Sequence, residues 1–288
     1  MAITAQQVIE RIQKNMGAPW MFGTDICEAG KPETVVTGVA TSFTATFDVL
    51  RRSAASGHNL VITRERPFWS HENTVMEHSG GSVGPLRSDL VKDPLFQQKS
   101  GFIAKNNLVV WRLQENWDAR PVDSQLRGLA RALGWEQHYK PKPGAGAWSR
   151  SNNVFTPAPA TLLETVQAMK AKLNCVAPRV IGDASLRVTR AAVMHGFLLV
   201  PELSAALRDP AVDLIVCGEP VEWEAGPYFM DTIASGRKIG MIILGNEVSE
   251  EPGSGEVAAW IKTMVNEVPV EWIPAGEPFR VLQPEKRS

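Results

Sequence analysis

Apolar residues in this chain come in short, β-branched runs, and most runs are followed by a stretch with helical spacing. TVVTGVAT (34–41) reads as a strand, FTATFDVLRRSAASG (43–57) as a helix with Phe43, Phe47 and Leu50 on one face, and NLVIT (59–63) as a second strand. Strand, helix and strand in that order predict a βαβ unit and a parallel sheet. Ahead of it, Thr4 and Gln7 make a capping-box pattern over a helix striped with Val8, Ile9 and Ile12, which Gly17 can close. NNLVVWRL (106–113) continues as a third strand, and Asp123 is placed to cap a helix whose apolar face is Leu126, Leu129, Ala130 and Leu133.

The pattern then restarts. Thr161 and Glu164 form a second capping box over a helix reaching about Leu173. PRVIG (178–182), DLIVCGE (213–219) and KIGMIILG (238–245) read as strands, and GEVAAWIKTMV (255–265) as a closing helix. Residues 72–100 are polar and contain glycine, as an insertion with local helix would; KPKPGAGAW (140–148) and TPAPA (156–160) bracket a connection. The predicted fold class is α/β. A first half over 1–140 and a second over 161–288 are joined by a Pro/Gly-rich linker at 141–160, and the C-terminal helix is free to pack with the first half. Each half carries a mixed or parallel sheet with flanking helices, and the two are expected to face each other across a central site. GHNLVITRE and AVDLIVCGE align without a gap, which suggests an internal duplication.

Composition narrows the function classes. With 44% apolar and 21% charged residues, the 288-residue chain can bury a core throughout. Thirty basic against 31 acidic residues give a formal charge of −1, with no basic footprint or aromatic-basic motif for nucleic acid. Cys27, Cys175 and Cys217 lie far apart and form neither a disulfide framework nor a CxxC site, which fits a reducing cytosol. No segment approaches the ~20 apolar residues of a membrane span, and the opening MAITAQQVIERIQKNMG lacks the apolar run of a signal peptide. A cytoplasmic protein without membrane or nucleic-acid partners is expected.

Candidate chemistry collects after the strands, where parallel α/β sheets bind ligands. Glu65 follows NLVIT, and Glu115 and Asp118 follow LVVWRL. Glu219, Glu222 and Glu224 follow DLIVC, while Glu247, Glu250 and Glu251 follow GMIILGN. Trp69, Trp117 and Trp223 share three of these loops, with His71 close to the first. An acidic, ring-lined pocket for a cation and a flat small molecule is one reading. Polar loops with helix-capping acids and core tryptophans is the other. SGGSVG (79–84) and GAGAW lack the strand–loop–helix context of a phosphate loop. His195, in AAVMHGFLLV, reads as a core or turn histidine, and His58, His78 and His138 as solvated. No GxSxG elbow or cysteine–histidine pair is evident. One oddity remains: LVITRERPFWSH puts Arg64, Glu65 and Arg66 directly at the end of a buried strand.

Three long stretches, GVATSFTATFDVLRRSAASGHNLVITRE, VVWRLQENWDARPVDSQLRGLARALGW and GEPVEWE followed by IILGNEVSEEPG, resemble the Nif-three-like dinuclear metal-centre proteins, some of them described as type-two GTP cyclohydrolase homologues. The likeness runs from about Thr34 to Gly253 and is strongest to a branch whose first metal loop reads His-Glu-Pro. It implies two metal ions between two related halves and a hexameric ring. Carried over by position, the first ligand pair falls on Arg64 and Glu65, the aspartate on Asp118, and the last pair on Asn246 and Glu250. Gln114 stands where the middle loop of the related branch has histidine. The carboxylates persist and the imidazoles do not.

A guanidinium has no lone pair for a metal, and all-oxygen sites suit magnesium or manganese rather than zinc or iron. Three arrangements follow. One hard cation sits on Glu65, Asp118 and Glu250; or no metal binds and Arg64 pairs with the acids; or Arg64 meets an anionic substrate group. The metal-free arrangement ranks first, as an oligomeric small-molecule-binding scaffold. The alternative is a hydrolase for a ring-bearing or phosphorylated substrate, with Glu65 or Glu250 as general base, Asp118 orienting water or cation, and Arg64 stabilising negative charge.

Overall fold

The structure, a computed structural model, describes residues 2–68, 87–138 and 153–282. Trp69, His71, His78, SGGSVG and KPKPGAGAW lie outside the described residues. The chain divides into two units, Met1–Pro121 with Ser254–Ala275, and Val122–Gly253 with Gly276–Ser288. The helix Asn246–Ile261 spans the division and carries Pro252 in its interior. The helix Ser124–Leu133, which the sequence pattern leaves in the first half, packs in the second unit's core with Phe155, Leu162 and Val193.

In the first unit the described strands form a sheet in the order Cys27–Ala29, Val109–Arg112, Leu60–Thr63, Val39–Ser42 and Val270–Trp272. The last four are mutually parallel, and Cys27–Ala29 pairs antiparallel with Val109–Arg112. Because side chains alternate across a strand, Leu60 and Ile62 enter one core and Val61 the other. On the first face the helix Ala5–Lys14 supplies Val8, Ile9 and Ile12, and Val257, Ala258 and Ile261 join them. On the second, Val49 and Leu50 of the helix Phe47–Ala55 meet Ile103 of the helix Pro94–Lys105. The capping box forms as its residues dictate: Thr4 N–H donates to Gln7 Oε1 at 3.0 Å and Gln7 N–H to Thr4 Oγ1 at 3.3 Å.

The second unit repeats this plan. Its sheet runs Asn153–Phe155, Ala191–Leu198, Leu214–Pro220, Gly240–Ile243 and Arg179–Ile181, with the three middle strands parallel and both edges antiparallel. Helices Ser124–Leu133 and Leu162–Leu173 cover one face, Val200–Leu207 and Glu222–Ala234 the other. The two segments that align in sequence are the central strands of their sheets, Leu60–Thr63 and Leu214–Pro220. AAVMHGFLLV, without period-2 polarity, forms the strand Ala191–Leu198, buried on both faces, where a continuous apolar run is the rule. No helix among the described residues is long and apolar enough to cross a membrane.

Candidate functional site

At the carboxyl ends of the first unit's strands the guanidiniums of LVITRERPF are buried and paired. Arg64 is 4% exposed and donates from both terminal nitrogens to Asp118, at 2.7 Å to Oδ1 and 2.9 Å to Oδ2. This two-pronged geometry suits a planar fork facing a carboxylate. Arg66 pairs with Glu28 at 3.0 Å, both buried. Glu28 belongs to the strand Cys27–Ala29, which the sequence pattern does not announce. Arg112, ending the adjacent strand, donates to Glu115, Gln114 and the Thr24 carbonyl, with Asp25 at 3.5 Å. Burial opposes its charge, but Glu115, Asp25 and Glu65 outweigh that and raise its pKa.

Asp118 is positioned from beneath. Its helix, Glu115–Asp118, is a single turn and would not hold alone. Asp25 anchors the start, accepting N–H groups from Gln114 at 2.8 Å and Asn116 at 2.9 Å, plus the Asn116 side-chain amide at 2.9 Å. Glu65 is half-buried, its backbone N–H bound to the Phe43 carbonyl at 2.8 Å.

In the second unit the structure reveals a group that sequence spacing hides. His195, 3% exposed, lies between two buried carboxylates: Nδ1 is 2.8 Å from Glu250 Oε1 and Nε2 is 3.0 Å from Asp123 Oδ2. Burial by itself disfavours the imidazolium, but the charges and hydrogen bonds of Asp123 and Glu250 prevail and push its pKa up to about 10. Asp123 serves twice, because its Oδ1 also caps the helix Ser124–Leu133 through the Leu126 N–H at 2.9 Å. Gly196 follows in the left-handed region at φ +67°, and a Cβ there would stand 2.4 Å from Glu250 Oε1. The His-Gly pair inside an apolar run is the one sequence trace of this clamp; its partners lie 72 and 55 residues away.

The remaining predicted residues have the following surroundings. Trp117 is 1% exposed in the first core, its ring 5.2 Å from Trp260, and the Arg120 guanidinium stacks 4.2 Å from it. It packs in the core there. Trp223 is 76% exposed in the first turn of the helix Glu222–Ala234. Gln114 precedes the Glu115 turn and accepts from Arg112. Asn246 donates to Glu219 at 3.2 Å, leaving its Oδ1 buried without a partner.

These donors do not fit the dinuclear centre that the resemblance implies. Both Asp118 oxygens accept from Arg64, Glu250 accepts from a charged His195, and an imidazolium has no lone pair to offer a metal. Among the described residues no three His, Cys, Asp or Glu side chains gather as a metal-ligating set. What the arrangement can do is hold charge in place. A clamped imidazolium and a doubly bonded guanidinium are poor bases and good electrostatic anchors.

No family sequence profile matches the chain, and no curated protein does. Solved structures do. A Bacillus cereus protein related to NIF3 superposes with a TM-score of 0.68 at 12% identity, covering 98% of this chain and 100% of its own. Staphylococcus aureus protein SA1388 gives 0.67 at 14% identity over 98% and 100%. The protein ybgI, described as of unknown function, gives 0.67 at 18% identity over 96% and 100%. The resemblance in sequence and the likeness in structure agree, and the chain has the fold of the NIF3-related proteins.

Proposed function

We propose that this chain is a divergent cytoplasmic protein of the Nif-three-like family that binds a small molecule as a homo-oligomer, in the family's hexameric form, with resident side-chain cations in place of metal ions. The observation that carries this is the buried Arg64–Asp118 fork, at 2.7 and 2.9 Å. A guanidinium at a ligand position already neutralises the carboxylate that a cation would need. The His195–Glu250 pair supports the same reading independently in the second unit.

Equilibrium dialysis against magnesium, manganese, zinc and iron, with elemental analysis per chain, tests this. Near-zero occupancy with all four is the expected result, and Arg64→His should raise occupancy by freeing Asp118. One magnesium or manganese per chain, lost on Asp118→Ala and accompanied by chelator-sensitive turnover, would replace this reading with the hydrolase. Two tightly held zinc or iron ions would overturn it.

A further inference from the structure

At the amino ends of the second unit's strands, opposite the end that carries His195, there is an open cleft of about 660 Å³. Its charged lining is unevenly committed. Asp213 accepts from the Thr189 N–H and hydroxyl and from the Arg190 N–H, at 2.7–2.9 Å. Asp183 accepts from the Ser185 N–H and hydroxyl at 2.8 and 2.7 Å. Both Asp213 oxygens are therefore engaged by the backbone that shapes the cleft, whereas Asp183 uses Oδ1 alone and stays exposed.

The cations are not spent in this way. Arg187 and Lys238 are exposed in the lining and have no ion pair among the described residues. Arg237 directs its terminal nitrogens to the carbonyls of Leu207, Asp209 and Val212, yet its Nε–H is buried with no acceptor. A buried donor without an acceptor is a cost that an incoming oxygen would offset. Leu186, Ile233 and Ile239 form an apolar wall beside these groups.

We propose that this cleft binds a phosphate-bearing small molecule, with Arg187 and Lys238 on the phosphate, Arg237 Nε–H donating to one of its oxygens, and the organic part against the apolar wall. The site is separate from the Arg64 and His195 clusters and holds whether or not those bind a ligand. Two mobile cations on an open surface give an affinity that weakens as salt rises.

Titration of the isotopically labelled full chain with inorganic phosphate, followed by amide NMR, provides the test. Saturable shifts at Arg187, Gly236 and Lys238 are expected. Arg187→Ala and Lys238→Ala should each weaken binding at least about threefold, and the double variant about tenfold or more. Arg237→Lys keeps the charge but removes the Nε–H donor and should weaken binding as well. Shifts that fail to saturate, or binding unchanged in the double variant, would overturn the proposal. Sulfate chloride exchange at constant ionic strength separates specific oxyanion binding, which sulfate should mimic, from general screening, which would make both salts alike and refute the site.

Discussion

At the carboxyl end of its central strand the first unit places Arg64 directly after Thr63, and the second places Gly218 directly after Cys217. A Cβ at Gly218 would fall 2.3 Å from the Gly196 carbonyl and 2.5 Å from Ser249 Oγ, so the second unit has no room for a side chain there. It draws its cation from the neighbouring strand instead, as His195. Both units bury carboxylates at the same end of the sheet, and each supplies its own counter-charge. The chemistry differs: the Arg64 guanidinium stays charged at any pH the fold survives, whereas the His195 charge depends on its two carboxylates.

The largest predicted effect follows from that dependence. His195→Ala removes the imidazolium held between the buried Asp123 and Glu250 carboxylates, and should cost toward the upper end of about 3–5 kcal/mol in denaturant unfolding. Asp118→Ala removes the carboxylate that both Arg64 terminal nitrogens bind and should cost nearer the lower end of the same range. If both variants unfold at the wild-type denaturant midpoint, neither pair holds its unit together. Gly196→Ala combines a left-handed backbone, worth about 1–2 kcal/mol, with the contact on Glu250, and should unfold earlier than Gly226→Ala, where a Cβ meets nothing.

Titration divides the units further. The folded pKa of His195 is raised to about 10 from 6.5, so the native state holds more protons between those values. Its contribution is complete below about pH 6.5 and falls away as pH rises toward 10. In the first unit Lys99 behaves oppositely. It is buried against the Phe68 ring, with its ammonium donating to the Pro67 carbonyl at 2.8 Å, and desolvation lowers its pKa to about 8 from 10.5. Here the unfolded state holds more protons, so stability rises with pH between 8 and 10.5. Unfolding free energy measured against pH for His195→Gln and Lys99→Met, each subtracted from wild type, should slope in opposite directions; parallel slopes would remove the contrast. Trp223→Ala, on an exposed surface, should change stability by no more than about 0.5 kcal/mol.

Sequence by itself determined the α/β class, the parallel central strands and the helix starts at Thr4, Asp123 and Thr161, because these rest on local periodicity and capping that act within a few residues. It also singled out Arg64 and Asp118, whose pairing the structure displays. What it left undecided depended on distance along the chain. Glu28 reaches Arg66 through an edge strand of three residues, too short to leave a pattern, and Asp25 shapes the Glu115 turn from 90 residues away. His195 looked like an ordinary apolar-strand histidine until folding brought Asp123 and Glu250 to its two nitrogens. Only tertiary structure could decide those charges, since a buried ion is stable only beside partners that the local sequence does not name.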